Sequence, residues 1–141
     1  VIGFSVYGIP KAQGSVRAFK NIIVQGGSKE GRIAQASWRT LIVDAARKAC
    51  SSPLQGPVYV SMTFYLPKPK STPKAVLWPA KKPDLDKLVR AVADAMTTIV
   101  YHDDSQIVQV MASKRYAFEK RTPGLDVAVI GCATTNPNDL K

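Results

Sequence analysis

The sequence predicts a single α/β (α+β) domain with two main helices, and three observations predict it. The 141 residues suffice for one core and are too few for a separate regulatory module. Two segments carry apolar residues at spacings of three and four, the signature of amphipathic helices. The segments around them are β-branched, aromatic or alternating, and Pro, Gly and Ser clusters punctuate them, as strands and turns require.

Taken in order, residues 1–9 alternate, with Ile2, Phe4 and Val6 on one side and Ser5 and Tyr7 on the other, and Pro10 ends this opening strand. From Lys11 to Ile33 the chain is rich in Gly, Ser and cations (Lys11, Arg17, Lys20, Lys29, Arg32), a basic loop or ribbon with one short strand over Phe19–Val24 and a turn at Gly26-Gly27. Ala34–Cys50 places Trp38, Leu41, Ile42, Ala45, Ala46 and Ala49 at helical spacing, and Ser51-Ser52-Pro53 closes that helix. Pro57–Tyr65 reads as a strand. Leu66–Pro83 holds five prolines and five lysines, including Lys81 and Lys82. A loop longer than about 12 to 15 residues in a compact domain is usually functional or disordered.

Asp84–Met96 is the second helix, with Leu85, Leu88, Val89, Val92, Ala95 and Met96 apolar and Pro83 just before it. After the polar link His102-Asp103-Asp104-Ser105 comes a strand over Gln106–Phe118, its end made basic by Lys114 and Arg115. Thr122-Pro123-Gly124 signals a turn before a last strand, Leu125–Cys132. The folded domain is thus expected over 1–132, with a flexible polar tail over 133–141.

Twenty Lys and Arg against ten Asp and Glu give a net charge of +10, which favours a polyanionic partner, nucleic acid first. A basic protein that is merely soluble is the plain alternative. No apolar run approaches the roughly 18 residues needed to cross a bilayer, and the first residues lack a basic secretory leader, so an intracellular, cytoplasmic location is expected. Cys50 and Cys132 lie far apart in apolar stretches without CxxC spacing, which favours reduced thiols over a disulfide or zinc site.

Against that cationic background, Asp84, Asp86, Asp94, Asp103 and Asp104 gather five of the ten acids within 21 positions. The chemistry that explains such clustering is a hard divalent cation, magnesium or manganese, which takes carboxylate oxygens and leaves room for water and a substrate phosphate. Hydrolysing a phosphodiester needs a nucleophilic water and neutralisation of charge on the phosphate, and such an ion supplies both. Asp84 and Asp86 fall at a helix start, where exposed amides favour negative charge and two side chains two residues apart can converge. Asp104 can join them only if the chain returns beside that start. Asp86, Arg90 and Asp94 share a helix face, so Arg90 could clamp a phosphate with Asp94 orienting it. Plainer readings stand beside each of these: an N-cap for Asp84, surface ion pairs for the trio, and a solvated turn for Asp103-Asp104. His102 is a surface histidine first and a general base only second.

The run from Lys82-Pro83-Asp84-Leu85-Asp86-Lys87-Leu88 through Asp94-Ala95-Met96 to His102-Asp103-Asp104-Ser105-Gln106-Ile107 resembles the signature of the RusA family of Holliday junction resolvases. That signature is an Asp-x-Asp-Asn-Leu helix, then Asp-Ala-Leu, then an Asp-Asp-Ser-Gln-Val turn; weaker similarity covers most of residues 1–132. The resemblance implies a mixed sheet with two helices, a homodimer, and magnesium-dependent cutting of branched DNA in a bacterial or phage-infected cell, with manganese substituting and no small-molecule cofactor. It places the essential carboxylates on Asp84, Asp86 and Asp104, with Asp103 as a further metal ligand and Asp94 in support. The family's basic helix residue falls on Arg90. Lys81, Lys82, Lys87, Arg90, Arg17 and Lys114 are the expected DNA contacts. Two departures stand out: Lys87 replaces the usual Asn, and Arg90 the usual Lys. Arg90 keeps the charge but does not deprotonate, which suits phosphate clamping and not proton transfer.

A restriction-endonuclease motif is disfavoured, because it needs an acid, one spacer and Lys on a strand, whereas Lys87 directly follows Asp86 on a segment with helical spacing. A non-catalytic DNA-binding module, with basic loops on phosphates and acids tuning affinity, is the competing reading.

Overall fold

The computed structural model describes residues 1–13, 16–19, 22–25, 29–118 and 121–132, and side chains only outside 16–25. The expected flexible tail, 133–141, and the Gly26-Gly27 turn lie outside the described residues. The chain is an α+β fold in which strands β1 (Ile2–Tyr7), β4 (Val58–Leu66), β5 (Ile107–Tyr116) and β6 (Gly124–Gly131) form one sheet in the order β1-β6-β4-β5. β2 (Val16–Phe19) and β3 (Ile22–Gln25) form a separate antiparallel ribbon. Helices α1 (Lys29–Ala49) and α2 (Leu85–Met96) complete the domain, with one turn of 3-10 helix at Asp104–Gln106.

The sheet is mixed. β6 runs antiparallel to β1 and β4, whereas β4 and β5 are parallel and joined through α2. A parallel pair needs a crossover, and the long Pro/Lys loop, α2 and the 3-10 turn together make it. α2 therefore runs back against the strands, a fact that decides where its two acidic ends lie.

β4 is central and alternates as a half-buried strand should: Val58, Val60, Met62, Phe64 and Leu66 are buried, while Tyr59 and Ser61 face outward. These side chains meet Trp38, Ile42 and Ala46 of α1, Leu88, Val92, Ala95 and Met96 of α2, and Leu125, Val127 and Val129 of β6 in one core. Each full burial of a Val, Leu or Phe side chain is worth about 1.5–3 kcal/mol, so this cluster fixes α2 on the sheet. At the sheet's far end a Cβ on Gly124 would collide with the Val6 carbonyl, so only glycine lets β1 and β6 meet there.

Several expectations need adjusting. α1 begins at Lys29, five residues before Ala34, because Lys29-Glu30 supply a good first turn and the helix absorbs Gly31. The single strand over Phe19–Val24 is instead the hairpin of β2 and β3. Leu41, assigned to the buried face of α1, is 43% exposed. Among the described residues no helix is long and apolar enough to cross a membrane. Cys50 and Cys132 are free thiols, hydrogen-bonded to the carbonyls of Ser52 and Pro57.

Candidate active site

The site starts from the Pro/Lys loop. Among residues 67–84 no helix or strand forms, and Lys68 ties the loop to itself by donating to the carbonyls of Val76 (3.0 Å) and Lys74 (3.4 Å). At its far end Lys114 of β5 donates to the carbonyls of Lys81 (2.6 Å) and Pro83 (2.9 Å). Lys114, expected on DNA, thus anchors the segment that delivers Asp84. Lys81 and Lys82 stay exposed, free to meet a polyanion. The side chain of Arg17 lies outside the described residues.

Asp84 occupies the N-cap position of α2, yet its side chain makes no capping hydrogen bond. Its carboxylate meets Lys87 Nζ at 3.6 Å, an exposed pair worth well under 1 kcal/mol that a stronger ligand would easily displace. The N-cap reading of Asp84 therefore fails on its side chain. Asp86 and Arg90 are exposed, and neither takes part in an ion pair among the described residues, so the surface salt-bridge reading of the helix trio is not realised either. Asp84 and Lys87 share a shallow cleft with Gln13 and Gln35, and Gln13 is held there by its backbone N–H on the Lys87 carbonyl at 3.2 Å. The two glutamines carried no signal in sequence, because isolated amides in loops and helices are common.

The other acids lie at the opposite end of α2. Asp103 starts the 3-10 turn and accepts from the backbone N–H of Ser105 at 2.8 Å; this bond, the Ser105 hydroxyl and a hydrogen bond from Asp104 hold its carboxyl below the usual range. Asp104 is shifted the other way, upward, by partial desolvation, by its hydrogen bond with Asp103, and by the negative charges of Asp103 and Asp94. Asp94 and Asp104 line one open cleft with Arg39, Thr97 and Thr98. Arg39, on the exposed side of α1, was not singled out in sequence because nothing in α1 hints that this face meets the acids. His102 binds Gln55 Nε2 at 2.8 Å, the behaviour of a surface histidine.

The return of Asp104 beside Asp84 does not occur within one chain. α2 has 12 residues, about 18 Å of helix, and its ends keep the two acidic groups apart. Among the described residues no three His, Cys, Asp or Glu side chains are grouped so as to hold a metal ion. The five acids of one chain thus fall into two separate groups, Asp84 with Asp86 and Asp94 with Asp103 and Asp104.

The turn that carries Asp103 and Asp104 is built around Gln106. Its Oε1 accepts from the backbone N–H groups of His102 (2.7 Å) and Asp103 (3.0 Å), and its Nε2 donates to the carbonyls of Leu54 (3.0 Å) and Gly56 (2.8 Å). Below it Tyr101 is fully buried and donates its hydroxyl to Ala93 at 2.6 Å.

Comparison with known proteins adds two findings. The family model described as "Endodeoxyribonuclease RusA" matches residues 10–130. An uncharacterized protein of Bacillus subtilis (strain 168), YqaN, is 32% identical over 137 residues, spanning 85% of this chain and 91% of the relative.

Proposed function

The chain belongs to the RusA family of endodeoxyribonucleases, and from that premise we propose that it cuts four-way or otherwise branched DNA by metal-dependent hydrolysis of a phosphodiester. The observation that carries the reading is the exposed pair Asp84 and Asp86 at the start of α2, uncapped and followed by Lys87 and Arg90. Carboxylates alone would repel DNA; set among Lys81, Lys82, Lys87 and Arg90 they suit a hard cation and the phosphate it polarises.

The separation of the two acidic groups supports a homodimer. β5 is an edge strand whose outer side has no partner among the described residues, and it exposes Val108 (61%), Met111 (67%) and Val110. An unpaired edge with apolar side chains is a template for another strand. Antiparallel pairing of two such edges centred on Val110 would set Asp104 of the partner subunit level with Tyr116. That is the end of β5 at which Lys114 holds Pro83 beside Asp84.

In that arrangement Asp84 and Asp86, with Asp104 of the partner subunit and support from Asp103, would hold magnesium or manganese. When bound, the ion would polarise the phosphate and acidify a water. Arg90 and Lys87 would clamp the flanking phosphates, and Arg90, which does not deprotonate, would take no part in proton transfer.

Cleavage of labelled four-way junction, fork, duplex and single-stranded DNA in magnesium tests the reading. Branched substrates should be cut, and Asp84→Asn should abolish cutting while binding persists. Absence of metal-dependent cutting of all four substrates by the unmodified protein would overturn it. Tighter DNA binding by Asp84→Asn, with no cutting by either protein, would favour the non-catalytic binding module.

A further inference from the structure

Where the Pro/Lys loop crosses the end of the sheet, a second feature stands apart from the acids. Trp78 is 55% exposed, although the other tryptophan, Trp38, is 2% exposed in the core. The Arg115 guanidinium sits 5.1 Å from the Trp78 ring centroid. Together with Leu77, Tyr65, Phe118 and Arg121 they line an open cavity of about 400 Å³, within the size range of small-ligand pockets. Arg121 lies 3.6 Å from the Tyr65 ring and is neutralised by Asp126 at 3.0 Å, so it serves as wall. Arg115 takes part in no ion pair among the described residues and keeps its charge.

Leu77, Trp78 and Phe118 are all exposed around this one cavity, and a contiguous exposed apolar patch with a charged rim marks an interaction site. Here the loop is stapled from both ends, by Lys68 and by Lys114, so Trp78 is held in place and presented to solvent. A flat indole next to an unpaired guanidinium, in a loop of lysines, matches a ligand that is planar and anionic at once. Proteins that hold single-stranded nucleic acid combine these elements, base on aromatic ring and phosphate on cation.

We propose that the Trp78–Arg115 pocket is a stacking site for one unpaired nucleobase of a DNA strand, with Arg115 on its phosphate. The proposal rests on reading DNA as the ligand and does not depend on cleavage. It gives the protein a means of sensing unpaired nucleotides at a branch, six residues ahead of Asp84.

The test uses the full chain in EDTA, with cleavage silent. Titrating (dT)10 should quench tryptophan emission, because buried Trp38 gives a constant background while Trp78 stacks. A fully paired duplex of that length, or an abasic strand of equal charge, should quench little. By anisotropy, Trp78→Ala should weaken (dT)10 binding roughly tenfold or more, to the level of the abasic strand on the unmodified protein, and Trp78→Phe should retain part of the affinity. Equal affinity of the unmodified protein for (dT)10 and the abasic strand, or unchanged (dT)10 binding by Trp78→Ala with an unaltered melting curve, would overturn the proposal. Failure of junction cleavage in magnesium would sink the nuclease reading and leave this one standing.

Discussion

The ammonium of Lys114 donates to the carbonyl of Pro83 at 2.9 Å, one residue before Asp84. A strand lysine is thereby spent on shaping the approach to the acidic motif. Lys114→Met should cost about 1–3 kcal/mol of stability, read from chemical denaturation, since two carbonyls lose a charged donor. The dependence of log affinity on log salt should keep its slope. A slope reduced by about 0.9 would mark Lys114 as a phosphate contact after all.

The division of the acids predicts complementation between inactive chains. Asp84→Asn and Asp104→Asn proteins should each fail to cut a junction. Mixed and allowed to exchange subunits, they should regain one cut per junction, because one of the two sites then has all its carboxylates. A site built within each chain would give no activity in the mixture, so nicking against time decides between the arrangements.

Gln106 satisfies two amide donors and two carbonyl acceptors on two segments, 102–103 and 54–56. Gln106→Ala should destabilise by about 2–4 kcal/mol, water replacing part of what is lost at a half-buried site. Gln106→Glu should be nearly as damaging, because a carboxylate cannot donate to the Leu54 and Gly56 carbonyls. Thermal melts and hydrogen exchange at residues 102–106 would show whether the link loosens first.

Tyr101 is buried against the C-terminal end of α2, and burial, then the nearby charge of Asp104, push its phenol above the ordinary value of 10.0. A phenol with a raised folded value stabilises fully below that ordinary value, and the contribution is lost as pH rises beyond it. Absorbance titration should show a late phenolate step that is missing in Tyr101→Phe. The substitution itself should cost only about 1 kcal/mol, because Thr97 Oγ1 still donates to the Ala93 carbonyl at 3.0 Å.

Much of this fold is legible in the residues. Val58–Leu66 alternates so regularly that its strand and buried face follow from period alone, and Leu85–Met96 carries its helix in the spacing of Leu88, Val92 and Met96. The start of α1 was hidden by Gly31, a poor helix former that tertiary packing overrides. The sequence over Phe19–Val24 predicts one strand and not the paired β2 and β3, because no Gly or Pro separates Phe19 from Ile22. The candidate site was legible as a set of residues and not as an arrangement. Where Asp104 falls depends on the direction of α2 against the sheet, and the roles of Lys114 and Gln106 depend on carbonyls about 30 to 50 residues away in sequence, which no local pattern encodes.

The parallel pairing of β5 with β4 has one more consequence. With Asp104 just ahead of β5 and Lys114 near its end, the strand acts as a ruler of about 33 Å for ten residues, and its pitch is set by backbone geometry that side-chain changes barely alter. Lengthening the Pro/Lys loop should be absorbed at its exposed tip. Inserting a single residue within β5 turns every later side chain to the opposite face, Lys114 included, and breaks the spacing on which two matched cuts would depend.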